Sequence, residues 1–253
     1  MKVAFTGKGG AGKTTIAAIL IHYLAGKGRK VLAVDCDPDS NLAGALGFEG
    51  ASKIVPICRM KDLIRDRMGI KDKDPFLYKL NPKIDDIPAE YTRTMGGISI
   101  LVMGTVEKAG GGCVCPESIF LRNLLNRIML KEDEDIVLDM EAGVEHLGRR
   151  TAEICGHFIV VVEPSAKSAQ TAIKIDALAR GLGAKDVYAV ANKVRSKEDS
   201  DFIAKELGRI RVVASVPFSD EILSLDKHGS VGQLMSAAIK DAADGLLAAL
   251  KII

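Results

Sequence analysis

The stretch Gly7-Lys8-Gly9-Gly10-Ala11-Gly12-Lys13-Thr14 fits the spacing G-x-x-x-x-G-K-[ST] without a gap. Glycines at this density let successive backbone N–H groups converge on phosphate oxygens, and the N-terminus of a following helix adds a favourable dipole. Lys13 is then placed for the β- and γ-phosphates of a nucleotide and the Thr14 hydroxyl for Mg²⁺, with Thr15 completing the loop. An apolar run precedes the motif and a helical pattern follows it, which is the context that separates a phosphate loop from a glycine-rich turn.

Carboxylates end two further apolar runs. Asp35 and Asp37, in Val34-Asp35-Cys36-Asp37-Pro38-Asp39-Ser40-Asn41, are two apart at a strand end and project to one side. One can support Mg²⁺ while the other orients or deprotonates an attacking water. Helix N-capping is the expected use of at least one of Asp39 and Asn41. Ile136-Val-Leu-Asp139 is a second apolar strand ending in an acid, an arrangement that puts Asp139 near the metal.

Cys113 and Cys115 form a third feature, bracketed by Gly110-Gly-Gly112 and Pro116. In an extended segment, thiols at i and i+2 share a side. Reduced thiols suit a soft metal, but two are too few for a closed four-coordinate site. A two-fold dimer that faces two such pairs supplies four. C-x-C is shorter than the C-x-x-C of thioredoxin-like redox chemistry. Cys36, Cys58 and Cys155 read as small apolar residues, and the four histidines are scattered.

The elements that must position these residues are legible as nearly continuous apolar runs: Val3–Thr6, Val31–Asp35, Ile98–Met103, Ile136–Asp139, Phe158–Glu163, Val187–Asn192 and Val212–Val216. Strands apolar on both faces belong to a parallel sheet covered on both sides. Helical patterns lie between many of them, at Thr14–Ala25, Glu117–Leu130, Ala166–Gly181 and Asp201–Leu207, and the tail from Val231 to Ile253 is amphipathic. The expected fold is α/β, a doubly wound, mostly parallel sheet, as one P-loop ATPase domain over 1–253. Residues 51–97 are less regular and read as an insertion with exposed loops and one helix, Arg59–Met68.

Composition removes several classes. Lys+Arg 35 against Asp+Glu 33 gives net +2, and aromatics are 4% with no Trp, which argues against a base-stacking nucleic-acid platform. No run approaches the ~20 apolar residues of a membrane span, and glycines at 7, 9 and 10 interrupt any signal-peptide core. Five cysteines without a framework spacing fit a reducing cytoplasm. No nucleic-acid or membrane partner is expected.

The string GKGGAGKTT resembles the deviant Walker A motif of the MinD/ParA/nitrogenase-iron-protein ATPases, although Ala11 stands where that class often has Val. The resemblance implies that Lys8 reaches the nucleotide of a partner subunit in a homodimer, so that Lys8, Lys13 and Asp37 are catalytic. It implies that Asp37 positions water while Asp35 supports Mg²⁺, and that Gly143 offers its N–H to the γ-phosphate. Asn192, Lys193 and Pro217 resemble the strand-end residues that meet the adenine. GKGGAGKTT, VDCDPDSN, GGGCVCPES and DMEAGVEHLGR together resemble the CooC-type ATPases. That family matures nickel carbon monoxide dehydrogenase, which implies ATP hydrolysis, a homodimer, and Ni²⁺ on Cys113 and Cys115. Zn²⁺ competes for such thiolates. Two alternatives share the phosphate loop: an iron–sulfur-carrying ATPase, for electron transfer or as a cluster scaffold, and a MinD/ParA-like positioning switch.

Overall fold

The apolar runs become strands because alternate side chains meet two separate hydrophobic layers. On one face Ala4, Leu32, Val34, Leu101, Leu138, Phe158 and Val160 join a single cluster, and on the other Val3, Phe5, Ala33, Val137, Ile159 and Val161 join a second. The computed structural model describes residues 1–71, 73, 77–105, 115–130, 134–142, 149–222, 231 and 237–250.

The strands are β1 (Lys2–Gly7), β2 (Val31–Asp35), β3 (Arg93–Met95), β4 (Ile98–Val102), β5 (Asp135–Asp139), β6 (His157–Val162), β7 (Asp186–Val194) and β8 (Arg211–Pro217). They form one sheet in the order β3-β4-β2-β5-β1-β6-β7-β8. Every pairing is parallel except β3 with β4. The helices are α1 (Lys13–Gly26), α2 (Leu42–Ala45), α3 (Lys61–Met68), α4 (Ile87–Tyr91), α5 (Pro116–Met129), α6 (Arg149–Ile154), α7 (Ala166–Gly181), α8 (Lys197–Leu207) and α9 (Ala237–Ala249). Helices α5, α7 and α8 cover the first face through residues such as Phe120, Leu124, Ile175 and Ile203. Helices α1 and α9 cover the second.

Helix α1 packs on the sheet with α2 and α9 against its flanks, and Ile16 through Ile21 are all buried rather than one stripe of them. The tail pattern serves packing: Ile239, Ala242, Ala243, Leu246, Leu247 and Leu250 are buried.

Two regions depart from the sequence expectation. Residues 51–97 are not only exposed loops, because Ile57, Ile64, Met68, Ile84 and Ile87 are buried in the first core layer. The insertion also ends in a hairpin that the apolar pattern did not disclose. Arg93–Met95 is an exposed three-residue edge strand joined to β4 by Gly96-Gly97, both at positive φ. A two-residue Gly-Gly turn carries that hairpin signal where the strand itself is too short and polar to show one. Helix α8 starts at Lys197 rather than at Asp201, set by the Ser196 cap on the Asp199 N–H.

Candidate nucleotide site

In a parallel sheet all C-terminal strand ends share one edge, and that edge gathers several of the residues singled out above. The phosphate loop follows β1, Asp35 ends β2, Asp139 ends β5, Asn192 and Lys193 close β7, and Pro217 ends β8. The register places Asp35 directly beside Asp139, and Asp139 beside Phe5. The Cys36 N–H donates to the Asp139 carbonyl at 2.8 Å, so these strand ends are joined beyond the last residue of β2.

Two loop positions tolerate only glycine. Gly7 has φ 147, and a Cβ there would come 2.5 Å from the Val161 carbonyl oxygen on β6. Gly12 has φ 96, and a Cβ would run into Asn192 Nδ2. Gly12 also caps α1 through its carbonyl, which accepts from Ile16 N–H at 3.0 Å. The loop's middle turns back on itself, with Ala11 N–H donating to the Lys8 carbonyl at 3.1 Å. Gly9 and Gly10 are exposed, Thr14 and Thr15 half-buried, and Lys13 is buried.

Asn192 and Lys193 hold the loop from outside. Asn192 Nδ2 donates to the Ala11 carbonyl at 2.7 Å, and Lys193 Nζ donates to the Gly10 carbonyl at 2.6 Å. Lys193 sits at φ 60, a left-handed conformation that a residue with a side chain adopts at a cost. Lys8 Nζ does not point away from its own chain: it donates to Glu163 Oε1 at 3.0 Å, while Lys193 Nζ lies 3.4 Å from Glu163 Oε2. Glu163 was not singled out as a site residue, although it closes the run Phe158–Glu163 as the only acid at that strand end. Pro217 pairs with Val194, Phe218 N–H donates to the Val194 carbonyl at 2.9 Å, and the Arg195 guanidinium lies 3.4 Å over the Phe218 ring.

The carboxylates divide the work unequally. Asp35 accepts from Asp37 N–H at 3.1 Å and Leu42 N–H at 2.9 Å, so it takes the capping duty for α2. Asn41 occupies the cap position without a side-chain bond, and Asp39 supplies none either. Burial pushes the Asp35 carboxyl up to about 7, against those two backbone bonds. Asp37 is half-buried and organises its own turn, accepting Asp39 N–H at 3.0 Å. Asp139 is fully buried, and among the described residues neither of its oxygens meets the geometry of a hydrogen bond. Burial, then the Asp35 charge, push it up to about 7, while Thr14 and Lys13 pull the other way. A buried carboxylate with vacant lone pairs beside a threonine hydroxyl suits a hard divalent cation such as Mg²⁺.

Cys115 stands at the N-cap position of α5, half-buried, with Sγ 3.1 Å from Ser118 Oγ. Cys113 and Gly143 lie outside the described residues. Cys36 and Cys155 are buried and burial raises both thiols, Cys155 to about 12, so neither is a ready thiolate. Cys155 precedes β6 and therefore lies at the sheet edge opposite the phosphate loop. Among the described residues there is no cluster of three or more metal-ligating side chains, and no helix long and apolar enough to cross a membrane.

The pattern of the CobQ/CobB/MinD/ParA nucleotide binding domain matches residues 2–231. The carbon monoxide dehydrogenase accessory protein CooC of Rhodospirillum rubrum is 43% identical over 252 residues, covering 99% of this chain and 96% of that protein. An uncharacterized ATP-binding protein of Methanocaldococcus jannaschii is also 43% identical, over 95% of this chain and 94% of its own length. Among solved structures, a ParA family ATPase from Chlorobium tepidum superposes with TM-score 0.70 at 20% identity, covering 97% of this chain and 98% of that one. A chain of the MinC:MinD cell division protein complex from Aquifex aeolicus superposes with TM-score 0.69 at 20% identity, covering 98% of this chain and 96% of that one. With the phosphate loop, the unpartnered Asp139 and these likenesses together, the chain belongs to the CobQ/CobB/MinD/ParA nucleotide-binding family, in which it is a P-loop ATPase of the CooC type.

Proposed function

We propose that the protein is a cytoplasmic, dimerising metallochaperone that uses ATP to deliver Ni²⁺ to a nickel carbon monoxide dehydrogenase. The observation that carries this reading is near-full-length similarity to a carbon monoxide dehydrogenase accessory protein in a chain that also has Cys113 and Cys115. In this reading the phosphate loop from Gly7 to Thr15 and Gly143 bind the ATP phosphates, and Asn192, Lys193 and Pro217 border the base. Thr14 and Asp139 hold Mg²⁺, with Asp35 supporting them from the neighbouring strand. The metal, when bound, neutralises charge on the phosphoryl oxygens.

Lys13 draws the β- and γ-phosphates into the loop. Asp37 orients the attacking water, and Lys8 of a second copy neutralises charge on the transferring group. Ni²⁺ is cargo, held by Cys113 and Cys115 of two copies as four thiolates, and Zn²⁺ competes for the same sulfurs. The burial of Cys155 at the far sheet edge speaks against a cluster bridged between copies near the phosphate loop, as an iron–sulfur carrier would need.

The test is a Ni²⁺ titration of the wild-type chain and of the Cys113→Ala/Cys115→Ala variant, each with and without ATP. The reading predicts one nickel per two chains, lost in the variant. A variant that binds nickel as the wild type does, or a protein isolated with iron and sulfide, contradicts it.

A further inference from the structure

Glu163 faces two half-buried lysines of the phosphate loop's rim, Lys8 and Lys193, and its position is fixed from behind. Its backbone N–H donates to Ser168 Oγ at 3.1 Å, and Ser165 Oγ accepts from Ser168 N–H at 3.3 Å as the cap of α7. Its two oxygens are divided between two cations, Oε1 to Lys8 at 3.0 Å and Oε2 to Lys193 at 3.4 Å. Each lysine carries a second bond to the loop: Lys8 Nζ to the Gly9 carbonyl at 3.4 Å, and Lys193 Nζ to the Gly10 carbonyl. The ion pairs are only half-exposed, with Lys8 at 35% and Glu163 at 20%. Burial alone would raise the Glu163 carboxyl, but Lys8 and Lys193 outweigh it and hold the carboxyl below its usual range. It is therefore ionised at neutral pH.

We infer that Glu163 is a positioning residue that parks Lys8 on its own chain, and that this contact sets the ATP concentration at which two copies associate. The inference rests on the reading of Lys8 as the lysine that crosses to a second copy. In this inference, reaching a nucleotide on another chain draws Lys8 Nζ away from Glu163, so the ion pair stabilises only the separate state. Crossing leaves Glu163 with Lys193 alone, and the nucleotide's negative charge must outbid the carboxylate. The device makes association conditional: without a polyphosphate opposite, Lys8 stays at home. Lys193 keeps Glu163 charged and in place throughout, because its own bond to Gly10 does not depend on Lys8.

The experiment follows ATP-dependent self-association by light scattering, with turnover measured in the same samples. The variants are Glu163→Gln, Glu163→Asp and Lys8→Ala, with Glu163→Ala as a second charge-removing change should the Gln variant fail to fold. Glu163→Gln keeps the shape and removes the charge. Its ATP midpoint for association is expected to fall about three- to fivefold, the scale of a half-exposed ion pair. Turnover at saturating ATP is expected to move much less, a split that a merely structural role would not produce. Glu163→Asp, which keeps the charge, is expected to stay near the wild-type midpoint. An unchanged or raised midpoint in Glu163→Gln, with Lys8→Ala unable to associate, overturns the parking role alone. Association of Lys8→Ala at the wild-type midpoint overturns the cross-chain reading beneath it.

Discussion

Asp139 and Asp176 are equally hidden from solvent and are treated in opposite ways. Asp176, on α7, is 1% exposed, and its oxygens are saturated by Arg180 Nε at 2.7 Å and by Arg209 Nη2 at 2.6 Å. Asp139, at the end of β5, is 0% exposed, and among the described residues it has no ion pair and no well-formed hydrogen bond on either oxygen, although Thr14 and the Lys13 charge favour its ionised form. An ionised carboxylate buried without a partner is costly, and folds normally either neutralise it or pair it. The Asp176 cluster is finished by the chain itself. In the proposed reading the Asp139 end of the sheet is finished by a cation that arrives from outside the chain, which is what separates a site from a staple.

Substitution should split the two. Asp139→Asn is expected to lower ATP turnover by about a hundredfold or more, the scale of losing one preorganised electrostatic group. It should leave the melting temperature of the nucleotide-free protein equal or higher. Asp176→Ala should do the reverse, removing about 2 kcal/mol of stability, as for lost charged hydrogen bonds, with turnover per folded molecule retained. Equal losses of both properties in both variants would erase the distinction.

The comparison also has a pH signature. Asp35 and Asp139 are both pushed up to about 7 in the folded chain, from an ordinary carboxylate value when unfolded. The folded state therefore holds protons that the unfolded chain has released across this window, so stability falls as pH rises from about 4 to about 7 and then levels. Melting of the nucleotide-free protein between pH 5 and pH 8 should show that decline, and Asp139→Asn should flatten it. A melting temperature that rises across the window contradicts an unpartnered Asp139.

A smaller effect concerns the buttress of the phosphate loop. Asn192→Ala removes the bond to the Ala11 carbonyl and leaves that buried oxygen unmet, a loss of about 1–2 kcal/mol. ATP affinity, read from the KM, should weaken by several-fold, with less change in kcat. An unchanged KM would show that the loop keeps its shape without this support.

The sheet and the phosphate loop were legible in the sequence because both rest on local rules: continuous apolar runs for strands covered on both faces, and fixed glycine spacing for the loop. The Asp35–Asp139 juxtaposition was half legible, since strand-end acids point to the same sheet edge but register decides which are neighbours. Glu163 was hidden by its position inside an apolar run, where it read as the end of a strand. Its partners Lys8 and Lys193 lie 155 and 30 residues away, a distance that only the folded sheet closes. Capping by Asp39 or Asn41 was expected from residue type, and Asn41 does stand at the cap position, but the side-chain bond to the first turn comes from Asp35, which only the tertiary fold brings there.

Solution mass of the wild-type chain and of Lys8→Ala, each saturated with a non-hydrolysable ATP analogue and Mg²⁺, tests the account most directly. The account predicts a two-chain species for the wild type and a single chain for the variant. A wild-type protein that remains one chain under these conditions, with its nucleotide fully bound, would contradict it.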